Sequence, residues 1–466
     1  MVVNTEVLTK SSQKFVLKSW FGVRHKQLLL LFFLLVIGYG MRINLSIGIV
    51  AMTDPTINPN FPTYNWTMDT KSTLLSSFFW GYVVPQIGAG QLAEKFGAKW
   101  ILTIAMTISS IFTFLIPTFA NFSTWGVMVC RISQGFTQGF FFPCVHNMLS
   151  KWIPLRERSR MGTFVYAGGP LGTVISMPLT GWISASTIGW PGAFYLYGCF
   201  GLIWVLMWIW RAGNNPEEYK TITDEEKLYI LKGSGQQNQT KAITPWKKIV
   251  TSLPIIAILV ANSGQMWSYW TLMTEIPTYM KGVLQFDIEK NGLLSAAPYF
   301  ALWVLSFPFG YITDFSINKK IFSVGVVRKI ITTVGMIGPA ISLFILGILK
   351  NPSPAVAVTL LIAAVGLNSA IFCGFQVNHM DIAPTYAGTT MGFTNGFGNI
   401  FAIVAPLVVE LIVKDESDES QWNTVFFIAG GIYVVVNIFY VIFGSGKRQN
   451  WDCQNNQSGI SKNVES

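Results

Sequence analysis

Long apolar runs dominate the chain, and short polar segments separate them. A helix needs about 20 apolar residues to cross the roughly 30 Å hydrocarbon core of a bilayer. Runs of this length lie near 27–52, 72–93, 99–118, 124–150, 160–184, 191–211, 251–280, 291–313, 327–349, 354–378, 386–413 and 422–444. The pattern predicts an all-α integral membrane protein with twelve transmembrane helices.

A longer polar stretch near 212–248 divides these helices into two sets of six. Similar sequences recur in register: Gly90 to Lys99 ends the second span as Gly310 to Asp314 ends the eighth, and Pro154 and Pro384 precede the fifth span of each half. Such recurrence indicates duplicated halves. We therefore predict a cytoplasmic tail, a six-helix half, a cytoplasmic linker, a second six-helix half and a cytoplasmic tail at 1–26, 27–211, 212–250, 251–444 and 445–466.

Composition agrees with a membrane protein. Hydrophobic residues make up 51% of the chain and charged residues 12%, so the length does not indicate several soluble domains. The five cysteines have no spacing typical of a disulfide framework or a metal site. The sequence contains no nucleotide-binding, nucleophile-elbow or zinc-protease motif. We expect no enzyme activity, no metal and no cofactor. The first apolar run lacks a cleavage site, so we expect it to remain as the first span.

Lysine and arginine are distributed unevenly among the predicted loops. If both termini are cytoplasmic, cytoplasmic segments hold 25 of the 32 Lys and Arg, and the opposite face holds five. Positive charge concentrates on the cytoplasmic side of membrane proteins. The net charge of +10 therefore reports topology and does not indicate a nucleic-acid partner.

Acceptor sequons test the same topology. Asn65, in Asn-Trp-Thr, falls in the first external loop, where glycosylation is possible. Asn121 is also external but close to the membrane, and Asn238 falls in the cytoplasmic linker, where it should carry no glycan. We predict glycan at Asn65.

Arg42 and Arg131 are the two basic residues that lie inside apolar runs. A buried arginine is costly in hydrocarbon and keeps its proton. Arg42 is about ten residues from the outer end of its span and Arg131 about seven, or roughly 15 Å and 10 Å deep at 1.5 Å per residue. We expect both to reach one cavity and bind an external anion, although each could instead pair with a carbonyl or a distant acid and only hold helices together.

Other polar residues could share this site. Gln138 follows Arg131 by seven residues and Phe142 by eleven, so helical spacing places all three on one face. Gln138 could donate to an anion, offer a carbonyl to a cation, or cross-link helices. Glu275, Asn395 and Asn399 are candidate ligands for a coupling cation. Alternatively, Glu275 is only exposed in a vestibule, and the two asparagines only make hydrogen bonds between helices.

Residues near the cytoplasmic ends of spans are candidates for gating. Glu94, Lys95 and Gly97 end the second span and Asp314 ends the eighth, and we assign them to gate or hinge contacts. His146 and His379 lie at the inner ends of spans 4 and 10. Each could shuttle protons, although hydrogen bonding at a helix end is commoner.

Several stretches resemble one family. Gly90 to Lys99 resembles the loop 2–3 motif of the major facilitator superfamily. Within it, the chain is similar to the group of sodium-phosphate cotransporters, sialin and vesicular glutamate transporters, the anion:cation symporters, and most of all to insect cotransporters named for inorganic phosphate. The matching stretches are Ser77 to Tyr82, Lys151 to Ser159, Asn378 to Pro384 and Gln449 to Trp451.

The resemblance implies the major facilitator fold and alternating-access transport of an anion. The family's arginines in spans 1 and 4 match Arg42 and Arg131, and Tyr82 joins the candidate substrate-binding residues. Sialin-like members have a proton-coupling glutamate where this chain has Gln138, which cannot titrate. Glutamate transporters have an arginine where this chain has Gln265. The resemblance therefore favours sodium coupling over proton coupling and argues against glutamate.

We expect a symporter of a small anion, either inorganic phosphate or an organic carboxylate, with co-transported Na⁺ favoured and H⁺ as the alternative. A proton-coupled organic anion transporter, a potential-driven channel or uniporter, and a binding protein that does not transport are the rival interpretations. The partners would be the anion and the lipid bilayer, with the protein a monomer. The membrane could be the plasma membrane or that of a vesicle or lysosome.

Overall fold

The computed structural model describes residues 21–55, 57–234, 244–284, 288–415 and 417–452. These residues are helical along most of their length, and short loops connect the helices. Asn238, the tail before residue 21 and the tail after residue 452 lie outside the described residues.

The N-terminal half contains α1 (Val23–Thr53), α2 (Met68–Phe96), α3 (Ala98–Phe122), α4 (Thr124–Gln138), α5 (Phe141–Trp152), α6 (Arg158–Tyr166), α7 (Gly168–Ala185) and α8 (Gly189–Arg211). Two short helices, α9 (Asp224–Ser234) and α10 (Trp246–Val250), lie in the linker.

The C-terminal half contains α11 (Leu253–Gly282), α12 (Ile288–Asn318), α13 (Val324–Ile348), α14 (Pro354–Asn368), α15 (Phe375–Ile382), α16 (Ala387–Ile412) and α17 (Glu419–Phe443). Below, the side on which α1 ends and α2 begins is called the outer side, after the predicted orientation. The opposite side is called the inner side.

Every predicted span coincides with helical structure. In the described chain, eight helical segments are long and apolar enough to cross a bilayer, and they match predicted spans 1, 3, 6 and 8 to 12. The other four are more polar or interrupted. Span 4 consists of α4 and α5, and span 5 of α6 and α7. The polar residues of spans 2 and 7 include Gln86, Asn262 and Gln265, which are buried inside the protein. The protein is therefore a multi-pass membrane protein of twelve spans.

Small residues explain how the halves pack. In the N-terminal half, α2 crosses α4 so closely that a Cβ on Gly81 would meet the Ile132 carbonyl and one on Gly135 would meet the Phe78 carbonyl. Between the halves, α16 approaches α2, where a Cβ on Gly392 would meet the Gln86 carbonyl. Close backbone approach of this kind is how membrane helices gain packing energy. The glycines therefore hold the cavity-lining helices together.

Each half has its own hydrophobic core. One buried cluster is built from α11 to α17 and two from the helices of the N-terminal half. Val377, Met380 and Ala387 from the C-terminal half join the inner N-terminal cluster. The two halves are therefore packed tightly on the inner side.

Candidate functional site

A small cavity, with a volume of about 60 Å³, lies between the two halves. Its polar lining is one arginine, four tyrosines and five amides, and its apolar lining is mostly aromatic and aliphatic. The lining residues are Tyr39, Arg42, Tyr82, Phe142, Tyr166, Pro170, Gln265, Met266, Tyr269, Trp270, Leu302, Asn368, Ile371, Phe372, Gln376, Asn395 and Asn399. Among the described residues, no aspartate or glutamate lines this cavity.

Arg42 is buried in an aromatic cage formed by Tyr39, Phe78, Phe79, Tyr82 and Trp270. Its guanidinium carbon lies 4.5–5.7 Å from the five ring centroids. Ring faces attract a cation at these distances. Its Nη2 has no hydrogen-bond partner within the described part of the chain. The charge is thus stabilised without a carboxylate, and donor capacity remains for an anion.

Arg131 lies beside Arg42. Its Nη2 donates to the Arg42 carbonyl at 3.3 Å, and its Nη1 donates to Gln134 at 3.1 Å. Phe78 separates the two guanidinium groups, 4.8 Å from that of Arg42 and 5.0 Å from that of Arg131. The structure therefore brings together the two arginines that the sequence indicated, but only Arg42 lines the small cavity.

Both arginines also line a vestibule of about 740 Å³ on the outer side. Helices of both halves form it, and Glu275 and Glu410 are among its lining residues. Trp270 lines the vestibule and the cavity, and its ring packs edge-to-face on Phe79 at 5.2 Å. This pair joins the two halves at the boundary between vestibule and cavity.

Gln138 is not among the residues that line the cavity. It is on α4 with Arg131, but its amide donates to Ser109 on α3 at 3.1 Å. Gln138 therefore makes a contact between helices of its own half, one of the alternatives that the sequence left open, whereas Arg131 on the same helix lines the vestibule. Phe142 does line the cavity, because α4 ends at Gln138 and α5 begins a new helix.

The three predicted cation ligands do not converge. Glu275 lies in the vestibule, whereas Asn395 and Asn399 line the cavity. Asn395 donates to the Gln86 side chain at 2.7 Å, and Asn399 donates to the Asn395 carbonyl at 2.7 Å. Both amides therefore make hydrogen bonds within and between helices, which was the alternative interpretation, and both residues also line the cavity.

The predicted gating acids each contact the opposite half on the inner side. Glu94 on α2 accepts from Thr389 on α16 at 3.2 Å. Asp314 on α12 accepts from the backbone N–H groups of Ser159 and Arg160, at the start of α6. Of the other two predicted gating residues, Lys95 lies over the Phe96 ring, and Gly97 joins α2 to α3 with a φ of 87°.

Sequence reasoning missed the main charge cluster of the inner side. Asp381 on α15 forms ion pairs with Arg158 on α6 at 3.0 Å and Arg328 on α13 at 2.7 Å. All three side chains are buried. Arg158 and Asp381 are in the family-like stretches, but their sequence positions at the ends of spans indicated loops. The cluster closes the inner side, while the outer side is open at the vestibule.

The two asparagines predicted to lie on the outer side are both in or next to loops. Asn65 is exposed in the loop between α1 and α2. Asn121, at the end of α3, accepts a hydrogen bond from Tyr64 at 2.6 Å.

These features define a two-half membrane protein with a central cavity that one buried arginine lines. The family profile of the Major Facilitator Superfamily matches residues 28–406, and the chain belongs to this superfamily. A solved structure of a superfamily proton:xylose symporter, with 6-bromo-6-deoxy-D-glucose bound, shares the fold with a TM-score of 0.69 at 15% identity. The alignment covers 91% of this chain and 98% of the symporter.

Curated relatives are more similar in sequence. A Drosophila ananassae protein named "Putative inorganic phosphate cotransporter" is 40% identical, over 89% of this chain and 91% of its own length. Human sialin is 36% identical, over 92% of this chain and 91% of its own length. A Danio rerio vesicular glutamate transporter 3 is 38% identical, over 91% of this chain and 73% of its own length. The chain therefore falls among membrane transporters of anions.

Proposed function

We propose that this protein is a secondary active transporter that moves a small anion by alternating access, and that it is not an enzyme. The observation that carries the proposal is Arg42, a buried cation that has no carboxylate partner among the described residues and faces a cavity between two similar halves. Buried charges in membrane proteins mark substrate paths. The open vestibule and the closed inner side correspond to one of the two states that such a cycle requires.

For the substrate, we propose an organic carboxylate with an apolar body ahead of inorganic phosphate. Phosphate needs donors around all of its oxygens. This cavity is lined by one guanidinium, tyrosines and amides, and also by apolar residues such as Phe142, Leu302 and Phe372. The names of the insect relatives support phosphate as the second candidate.

For coupling, we propose sodium ahead of the proton. Gln138 cannot titrate, and Asn395, Asn399 and Gln265, whose amide oxygens are neutral, line the same cavity as Arg42. Proton coupling and flux driven by membrane potential alone are the rivals. A negative substrate gains about 2.3 kcal/mol per charge per 100 mV from the potential, so accumulation must be measured with the potential clamped.

The test is uptake into proteoliposomes with sodium, proton and potential gradients imposed separately. Labelled phosphate and several carboxylates of increasing apolar size are offered. We expect a sodium gradient alone to concentrate a carboxylate. Accumulation driven only by a pH gradient would move the proposal to proton coupling. Flux without uphill accumulation under any gradient would indicate a channel or uniporter, and saturable binding without flux would contradict transport altogether.

A further inference from the structure

A second polar cluster lies beneath the cavity, separate from the arginines. We call it the histidine latch and define it as His146, Tyr166, Gln376, His379 and Thr394. His146 is on α5 and His379 on α15, so the two imidazoles come from different halves. Their ring centroids are 5.4 Å apart at an angle of 85°, and the residues are 0% and 1% exposed. Tyr166 and Gln376 also line the cavity, so the latch forms part of its floor.

The hydrogen bonds of the latch are compatible with two neutral rings. The backbone carbonyl of Gln376 lies 3.1 Å from His146 Nε2 and 3.0 Å from His379 Nδ1. A carbonyl oxygen only accepts, so both of these nitrogens must donate. The remaining nitrogens meet hydroxyls, His146 Nδ1 that of Tyr166 at 2.7 Å and His379 Nε2 that of Thr394 at 2.7 Å. The Tyr166 hydroxyl also lies 3.1 Å from His146 Nε2, and the Thr394 hydroxyl also lies 3.3 Å from the Met391 carbonyl. Each hydroxyl can donate to the ring nitrogen that lies closer to it, so these contacts accommodate two neutral imidazoles.

Among the described residues, no carboxylate is hydrogen-bonded to either ring, so an added proton would have no carboxylate in direct contact. The charged and titratable groups around the latch are Tyr166 and Arg158 on α6, Asp381 on α15, Arg328 on α13, and, near the inner ends of their helices, Glu94 on α2 and Lys151 on α5. The nearest acid, Asp381, already pairs with two arginines. The helices α11 and α16 present Asn262 and Thr394, which are neutral. A buried charge without a partner is unfavourable, so the closed latch favours two neutral rings.

We propose that His146 and His379 form a proton-binding site that releases the inner closure. Opening the inner side separates His146 from the Gln376 carbonyl, because these groups belong to different halves. Water then reaches both rings, and an imidazole in water takes up a proton near neutral pH. Protons therefore bind preferentially to the inward-open state, and acid shifts the population toward it. For one linked proton, the ratio of inward-open to closed protein changes by up to about tenfold per pH unit.

The proposed effect of the latch on transport rests on the proposed alternating-access function; the pH-dependent opening itself can be measured without transport. Release of the transported anion to the inner side would become faster as the inner side becomes more acidic, whichever cation drives uptake. The histidine count allows a matched control, because the chain has three histidines. The third, His25, lies at the inner end of α1 and accepts a hydrogen bond from the Gly22 backbone.

The experiment measures a distance across the inner side of the full-length protein in lipid nanodiscs. Spin labels are attached at Leu155→Cys and Ile321→Cys, exposed positions (48% and 52%) on the inner loops of opposite halves, with Cys199 and Cys453 changed to serine. Double electron–electron resonance is recorded at about pH 7.5 and about pH 5.5. The protein is compared with His146→Gln/His379→Gln, with both single variants, and with His25→Gln as the control.

We expect acid to increase the long-distance population in the parent and in the His25→Gln control, and to leave it unchanged in the double variant. If the double variant does not fold, each single variant should show a smaller response. Tyr166→Phe keeps both rings and should still respond. A parent that does not respond to pH, or an equal response in the histidine variants, would overturn the latch. The measurement needs no substrate. If the distance change depends on the histidines but no uptake is found, only the proposed transport is contradicted. If uptake is normal but the distances do not depend on pH, only the latch is contradicted.

Discussion

The aromatic cage makes the charge of Arg42 available to a ligand. A buried arginine usually has a carboxylate partner, and an incoming anion must then break that ion pair. Here five rings lie within 5.7 Å of the guanidinium carbon, and each ring face contributes about 0.5–2 kcal/mol. Anion binding therefore competes with no salt bridge. Arg131 supports this arrangement by donating to the Arg42 carbonyl.

The first prediction concerns this charge. Arg42→Ala should reduce uptake at least about tenfold, because a hydrogen bond to a charged group contributes about 1.5–3 kcal/mol. Arg42→Lys should restore little of the lost uptake, because lysine lacks the planar guanidinium that can hold two oxygens of the anion. The initial rate of uptake into proteoliposomes is compared between the parent and the two Arg42 variants. Arg211→Ala, at an exposed arginine, is the control and should transport normally. Unchanged uptake by Arg42→Ala would remove the proposed binding site.

For single residues, the sequence was sufficient where the immediate neighbours along the chain already show that burying the residue costs free energy. Arg42 and Arg131 interrupt apolar runs, and that alone predicted their burial. Gln138 was placed on the same face as Arg131, but which neighbour this face meets depends on the packing of α4 against α3. Arg158, Arg328 and Asp381 lie far apart along the chain, so nothing local indicated that they meet.

Among the elements, the crossing of α2 and α4 positions the whole cage, because Phe78 and Tyr82 flank Gly81 on α2. We predict that Gly135→Ala destabilises the protein by about 1–3 kcal/mol through overpacking, since the added Cβ would meet the Phe78 carbonyl. Gly431→Ala on α17 is the matched control, because its Cβ would meet nothing within 4 Å. Thermal unfolding in detergent should show a lower transition temperature only for Gly135→Ala. Equal transition temperatures would show that the crossing tolerates a methyl group.

The pairing of α2 with α11 through Phe79 and Trp270 separates the cavity from the vestibule. An edge-to-face pair contributes about 0.5–1.5 kcal/mol beyond its buried area. We predict that Trp270→Ala increases counterflow exchange on the outer side and weakens uphill accumulation, because the cavity then stays open. Trp182→Ala, at an exposed tryptophan on α7, should change neither. Slower exchange in Trp270→Ala would indicate that this ring binds substrate and does not close the cavity.

Apolar runs predicted where the spanning helices lie, because burial in lipid requires about 20 apolar residues. They did not predict the breaks after Gln138, Tyr166 and Asn368, because the apolar sequence continues through each of them. These breaks arise from tertiary contacts. At Gly139, for example, the chain packs against the Tyr82 carbonyl and Pro85.

For the molecule as a whole, the uneven distribution of lysine and arginine predicts that both termini are cytoplasmic. Asn65 should then carry glycan, and Asn65→Gln should lower the apparent mass by one glycan on a gel. A tag at either terminus should be protected from protease added to intact cells or sealed vesicles of known orientation. Asn238→Gln is the control and should leave the mass unchanged. Glycan at Asn238 would reverse the topology.

The inner closure depends on charges shared between the halves, and this gives the last prediction. Asp381 accepts from Arg158 and Arg328, and the Ser159 hydroxyl also accepts from Arg328. Asp381→Asn would remove the carboxylate that pairs with both buried guanidinium groups, and breaking a buried pair costs about 3–5 kcal/mol. Inward opening lets water reach both arginines, so this cost falls on the closed state. We expect faster hydrogen–deuterium exchange in α6 and α15, with exchange on the outer side unchanged. Glu217→Gln, at an exposed linker acid, should exchange as the parent does. If hydrogen–deuterium exchange in Asp381→Asn equals that of the parent, the packing of Val377, Met380 and Ala387 holds the inner side closed without these charges.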